Sequence, residues 1–193
     1  CIPEMSRNNK VVLFAIDRPT GQLMEKATLL AGVKLSDPTV FHYNGQWWLW
    51  GVKDESELHI WYAPDLFAPW QEHVLNPVKT DIGSARPAGT PFMHEGILNR
   101  PAQDCSKTYG GRIVLNKVLV LSPTEFREEI ATVIEPDPLG LYPSGIHTLT
   151  AAGDITLVDG KRWTFSPGRM ARKVIRKCLQ SLRRENVNGK NCQ

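Results

Sequence analysis

Ser36–Lys53, SDPTVFHYNGQWWLWGVK, decides the fold. Two runs rich in aromatic and β-branched residues, Val40–Tyr43 and Gln46–Trp50, flank Asn44–Gly45. Asn-Gly supplies the two left-handed positions of a type I′ turn, whose twist matches that of paired strands. The segment is therefore a β-hairpin. Leu58–Tyr62 reads as a third strand, ending at Ala63–Pro64, and Trp70–Val74 as a fourth, stopped by Asn76–Pro77. Four short antiparallel strands in about forty residues are the size of one propeller blade.

Outward from this hairpin the pattern recurs. Upstream, Lys10–Ile16 and Leu23–Leu30 read as strands on either side of the turn Asp17–Gly21, and residues 1–5 as the end of a strand before a polar turn at Ser6–Asn9. Downstream, Thr90–His94, Ile97–Arg100, Arg112–Leu121 and Glu128–Ile134 form a second set of four. Ile155–Val158 and Arg162–Phe165, across Asp159–Gly160, open a third. Strand-only units with a period of roughly 40–60 residues argue for a propeller, with a β-sandwich as the alternative.

From Ser166 the character changes. Ser-Pro is a helix-starting pair, and Met170, Val174, Cys178 and Leu182 recur at helical spacing with Ile175 and Leu179 beside them. Residues 166–193 hold eight Lys/Arg against Glu185 alone, a charge of +7 within a chain of net +3, so the remaining residues sum to −4. The expectation is an all-β domain over 1–165 and a basic amphipathic α-helix and tail over 166–193. Through residues 169–184 such a helix suits an anionic membrane surface, or packs against the domain with its charges solvated.

At 193 residues, with 41% hydrophobic and 22% charged, the chain has the size and composition of one globular domain. It holds no apolar run of the ~20 residues needed to span a bilayer as a helix. Nucleic acid is a poor partner, because the body is acidic and the basic residues belong to one helix. The four cysteines form no CxxC pair and lie near no histidine at ligand spacing, which gives no metal site and favours a reducing compartment. No phosphate loop, nucleophile elbow or dinucleotide fingerprint occurs, so no cofactor is expected. Cys1 is not an initiator Met and reads as the cut edge of a longer protein. The compartment expected is cytoplasmic or membrane-peripheral.

The chemistry concentrates in Ser84–Asp104, SARPAGTPFMHEGILNRPAQD. Arg86, Arg100, Gln103 and Asp104 crowd a stretch otherwise built to be buried. A buried guanidinium needs an acid, a carbonyl or a ligand. Arg86 and Arg100 would grip an anionic sugar or sugar phosphate, or else pair with Asp104 or Asp37 as structural bridges. The tryptophans Trp47, Trp48, Trp50, Trp61 and Trp70 are assigned to packing rather than to stacking on sugars.

DPTVFHYNGQWWLW, ARPAG, RPAQDCSKTYGG, GIHTLTAAG and DGKR together resemble the N-terminal domain of glucosamine inositolphosphorylceramide transferase-like proteins. The resemblance covers roughly residues 2–165. It implies a five-bladed propeller related to glycoside hydrolase family 43, of which this chain would hold about three blades, the first being missing. In the plant proteins a separate glycosyltransferase domain adds the sugar to inositolphosphorylceramide; nothing here matches it, so a partner transferase domain is implied.

By that resemblance Asp37, in its Asp-Pro pair, is the catalytic-type carboxylate at the propeller axis. Where a family-43 enzyme would offer a general-acid Glu in the next blade, this chain reads Arg86-Pro87-Ala88-Gly89, and Glu4 is the only early carboxylate near the match. His147 falls at the start of an innermost strand, a place where relatives bind sugar hydroxyls or help hold a metal ion. Three functions stay open. One is a carbohydrate-binding module for a glycan or glycolipid, using Asp37, Arg86, Arg100, Gln103, Asp104 and His147. Another is a hydrolase using Asp37 and a second carboxylate. The last is a membrane-peripheral scaffold acting through its basic helix.

Overall fold

The expected hairpins form where their turn residues permit left-handed backbone. Asn44 and Gly45 adopt φ of 50° and 77°, and Glu95 and Gly96 repeat the pair at 50° and 76°. Both are type I′ geometry, which lets the flanking strands pair without splaying. A computed structural model describes residues 1–152, 154–165 and 168. The chain divides into two units, Cys1–Arg162 and Trp163–Gln193, and every element below lies in the first. The basic helix expected over 166–193 falls on a stretch of which Gly168 alone is described.

Among the described residues the regular elements are strands and one 3-10 turn, Ser6–Asn8. β1 (Lys10–Ile16) and β2 (Leu23–Ala31) pair antiparallel. β3 (Ser36–Tyr43), β4 (Gln46–Lys53), β5 (Glu57–Ala63) and β6 (Gln71–Glu72) follow in that spatial order, with β7 (Lys79–Thr80) also on β5. β8 (Phe92–His94), β9 (Ile97–Asp104), β10 (Arg112–Leu121) and β11 (Phe126–Ile134) form the next sheet, again in chain order. β12 (Leu149–Ala152) and β13 (Ile155–Val158) form a last hairpin.

Buried side chains join these sheets in series. On β4, alternation sends Trp48, Trp50 and Val52 to one face and Leu49 to the other. The first three meet Phe41, Leu58, Ile60, Leu98 and Val118, so they lie between the sheets of β3–β7 and β8–β11. Leu49 meets Val11, Leu29, Leu30, Leu35 and Trp61, against β1–β2. A smaller cluster of Ala88, Ile113 and Ile146 joins β10 to the segment before β12. Sheets buried on both faces explain the near-continuous apolar run Trp47–Trp50, and truncating a fully buried Trp here would cost roughly 3–5 kcal/mol.

Two expected strands are corrected. Trp70–Val74 pairs only at Gln71–Glu72. His73 instead turns inward to Ser122 O at 2.9 Å. The side-chain amide of Asn76 then takes the ladder position opposite Ile60, accepting from its N–H at 2.9 Å and donating to its carbonyl at 2.8 Å. Ile155–Val158 does not pair forward with Arg162–Phe165; it pairs backward with Leu149–Ala152. The Asp159 carboxylate reaches back to accept from the backbone N–H of His147 (2.9 Å) and Thr148 (2.8 Å).

Candidate functional site: a polar cavity at Asp37

Asp37 opens β3 in a left-handed conformation, φ 49°, where the register with β4 skips between Ser36 and Thr39. A non-glycine residue held there costs roughly 1 kcal/mol or more, so its neighbours must secure it. They do so on both sides. Its backbone N–H donates to Glu4 Oε2 at 3.3 Å, and its Oδ2 accepts from Gln103 Nε2 at 3.3 Å and from the Arg86 Nε–H.

Gln103 and Arg86 come from one ladder. The Gln103 N–H donates to Arg86 O at 2.8 Å and the Ala88 N–H to Pro101 O at 3.0 Å, so Arg86–Ala88 continues the inner edge of β9 beyond β8. The Gln103 side chain also donates to Pro87 O at 2.8 Å, which fixes its amide orientation. Asp37 on β3 and Arg86 on the next sheet therefore pair across the two sheets.

The carboxyl of Asp37 is pushed above its usual value. Burial is the largest cause, and the nearby Glu4 charge adds to it; the charge and hydrogen bond of Arg86 pull the other way. Burial likewise works against the charged Arg86, but its ion pair with Asp37 overcomes this and raises its pKa. The Arg86 guanidinium lies over the Tyr109 ring at 5.1 Å. Its terminal nitrogens make no hydrogen bond with any described residue.

His147 arrives from the segment before β12. Its Nδ1 pairs with Asp159 Oδ2, and its ring lies 5.3 Å from that of Tyr109. A cavity of about 250 Å³ is lined by Glu4, Asp37, Gln103, His147 and Thr148, with Pro87–Gly89 as its wall. The arrangement offers carboxylate acceptors, an amide and an imidazole to one polar ligand.

The structure brings Asp37, Gln103 and His147 together, with Arg86 bracing Asp37 from the side. It places Arg100 and Asp104 elsewhere. Along β9 the even positions Arg100, Ala102 and Asp104 share one face and Gln103 takes the other. Arg100 is fully buried and grips Glu128 through two bonds, Nε–Oε2 at 2.7 Å and Nη2–Oε1 at 2.6 Å. It also donates to Ser84 O at 2.6 Å and Ala85 O at 3.3 Å. Asp104 accepts from the Ser106 N–H at 2.9 Å and from Arg112 Nε at 2.7 Å. Neither lines the cavity, and both have structural partners.

Tyr109 and Asp159 complete the site and were not singled out from sequence. The signal for Tyr109 is the Gly110–Gly111 pair after it. A Cβ on Gly110, whose φ is 58°, would come within 2.6 Å of the His147 Cβ. Asp159–Gly160 carried a turn signal that concealed its anchoring role. No group of three His, Cys, Asp or Glu side chains among the described residues is arranged to hold a metal ion. His147 already commits Nδ1 to Asp159, so this site does not fit a cation held by that nitrogen.

The several antiparallel sheets resemble part of a propeller of the glycoside hydrolase family 43 type. The structure superposes on an exo-β-1,3-galactanase from Clostridium thermocellum with a TM-score of 0.53 at 15% identity, covering 71% of this chain and 34% of that one. A family-43 β-1,3-galactosidase solved with galactodeoxynojirimycin gives 0.51 at 11% identity, covering 66% and 40%. At these identities the likeness is one of fold.

The chain belongs to the family described as glucosamine inositolphosphorylceramide transferase 1, N-terminal, whose family model matches residues 1–139. It is 33% identical over 194 residues to glucosamine inositolphosphorylceramide transferase 1 of Arabidopsis thaliana, covering 90% of this chain and 25% of that protein. The transferase of the same name from Oryza sativa subsp. japonica is 35% identical over 137 residues, covering 66% and 18%. The chain thus spans a quarter or less of the length of these relatives.

Proposed function

We propose that this chain is a carbohydrate-binding propeller segment serving glycan or glycolipid processing, and that its axial cavity takes one sugar. The observation that carries the reading is the convergence of Asp37, Gln103, His147 and Glu4 on one cavity. Sugar recognition needs several fixed donors and acceptors around a small concave site, and each of these side chains is held by a second group. In this reading the chain supplies about three of five blades: the two larger sheets, with the hairpins β1–β2 and β12–β13 as parts of their neighbours. The relatives' name supports a setting beside a partner transferase domain. Residues 169–184 would serve an anionic membrane surface, to be tested by liposome flotation with and without residues 166–193.

The test is calorimetric titration with the methyl glycosides of galactose, glucosamine and glucuronic acid. Gln103→Ala and His147→Ala should each weaken the preferred glycoside about 3- to 10-fold, the value of one or two hydrogen bonds. Arg86→Ala should weaken the glucuronide more than the neutral sugars, because Arg86 is the cation paired with Asp37 and its terminal nitrogens make no hydrogen bond with any described residue. Absence of binding to the whole panel, or affinities indifferent to both Gln103 and His147, would end this reading.

A hydrolase is the second reading, favoured by one observation. Asp37 has a raised pKa beside a second carboxylate, Glu4, and glycoside hydrolysis uses one protonated and one ionised acid. Against it stands Arg86, which occupies the place of the acid expected from the resemblance. Turnover of aryl glycosides at pH 5–7 that disappears in Asp37→Asn would favour it.

A further inference from the structure

A second cavity, about 400 Å³, adjoins the first and shares Ile2, Pro38, Thr39 and Gly89 with it. The smaller one falls below the ~300–1,000 Å³ of typical ligand sites, whereas the second lies within that range. Trp47 stands in the second cavity's wall with Leu13 and Leu66, and with the hydroxyl-bearing Thr39, Thr90 and Thr150. We infer that this cavity is a second sugar subsite, in which the ring next to the one at Asp37 stacks on Trp47.

Trp47 differs from its neighbours. Trp48 and Trp50 are buried between sheets, and the Trp48 indole N–H donates to Tyr43 O at 3.1 Å. Trp47 points to the opposite face, is half-buried, and meets His42 edge-on at 5.4 Å. No described residue accepts a hydrogen bond from its indole N–H. An indole face beside three threonine hydroxyls matches a pyranose ring, which has apolar C–H faces and a hydroxyl rim. The Thr39 hydroxyl already donates to Asp37 O at 3.2 Å, but a purely alkyl occupant would leave those of Thr90 and Thr150 without partners. The shared wall at Pro38–Thr39 follows directly from Asp37, so a ligand fixed at Asp37 is aimed along it.

This inference rests on the sugar-binding reading, and the experiment separates the two. Calorimetric titration of the full chain compares each methyl monoglycoside with the corresponding disaccharide and octyl glycoside, using wild type, Trp47→Ala and Trp47→Phe. The disaccharide should bind about 3- to 10-fold more tightly than its monosaccharide. Trp47→Ala should erase that gain and leave the monosaccharide unchanged, while Trp47→Phe keeps most of it. Disaccharide binding alone, abolished in Trp47→Ala, also supports the subsite. Monosaccharide binding without any gain from the second ring, or an equal loss for both ligands in Trp47→Ala, overturns the subsite and spares the axial reading. A Trp47-dependent gain for the octyl chain alone assigns the cavity to an apolar group and overturns the sugar assignment. Absence of binding by every glycoside overturns both.

Discussion

Asp37 sits between opposing pulls. Burial and the Glu4 charge favour its neutral acid, and Arg86 favours the carboxylate. Arg86 supplies the largest pull toward the carboxylate and the nearby His147 a smaller one, while the other hydrogen bond to Oδ2 comes from the uncharged amide of Gln103. Removing the Arg86 charge should therefore raise the Asp37 pKa further. Arg86→Ala, followed by ¹³C carboxyl titration, is expected to show Asp37 protonating at a higher pH than in wild type. The same change strips Tyr109 of its cation, whose charge acts to lower the phenol's pKa. The Tyr109 pKa, already raised chiefly by burial, should rise with it. Both groups moving upward would tie Asp37, Arg86 and Tyr109 into one electrostatic unit. An unmoved Asp37 would mean that Arg86 does not set its ionisation.

At the scale of elements, the site depends on a loop and a segment that approach backbone to backbone. A Cβ on Gly145 would lie 2.2 Å from the Gly110 carbonyl oxygen, and one on Gly110 would strike His147. Gly110→Ala adds that clash to a left-handed φ that alanine resists, and should cost about 1–3 kcal/mol. Its larger effect should be positional: His147 and Tyr109 move, glycoside affinity falls as in His147→Ala, and the NMR shifts of the Trp48–Trp50 core stay fixed. The hairpins were legible because their turns are local, and Asn44–Gly45 and Glu95–Gly96 state their conformation in two residues. The cavity was legible only in part. Arg100, Gln103 and Asp104 look like one cluster along the chain, yet strand parity sends Gln103 to one face and its companions to the other. The partner of Arg100, Glu128, lies two strands away on β11, and no local pattern announces such a contact. Trp47 and Trp48 are adjacent and alike, and their different burial follows from the opposite faces of β4 that they take.

Across the unit Cys1–Arg162, cohesion comes from sheets packed in series, and Arg100–Glu128 is a buried ion pair within that packing. Arg100 reaches across the buried interface, 5.7 Å from the Trp50 ring, and also holds the carbonyls of Ser84 and Ala85 ahead of the Arg86 segment. Glu128 takes a second cation, Lys79 of β7, at 2.8 Å, so this ion cluster joins both large sheets. Burial alone would raise the Glu128 pKa, but Arg100 and Lys79 outweigh it and hold the carboxyl below its ordinary 4.5. A depressed acid contributes stability that is complete above its unfolded value and is lost as pH falls through its folded value. Asp81 and Asp104 are lowered too and act in the same direction, with an ordinary value of 3.8 for each. Asp37 acts in the opposite sense, because a raised acid gains stability as pH falls toward its ordinary 3.8. Three against one, the protein should lose stability below about pH 4.5. Glu128→Gln leaves Arg100 buried without its counter-charge and should cost about 3–5 kcal/mol at pH 7. In wild type at low pH Glu128 is protonated as well, so the difference between the two proteins should shrink steadily as the pH falls. Urea midpoints measured by tryptophan fluorescence from pH 7 to pH 3 test this, and Lys79→Gln should trace the same curve with a smaller amplitude. A Glu128→Gln deficit that stays constant across the range would show that Glu128 acts through packing, and that its charge does not hold the two sheets together.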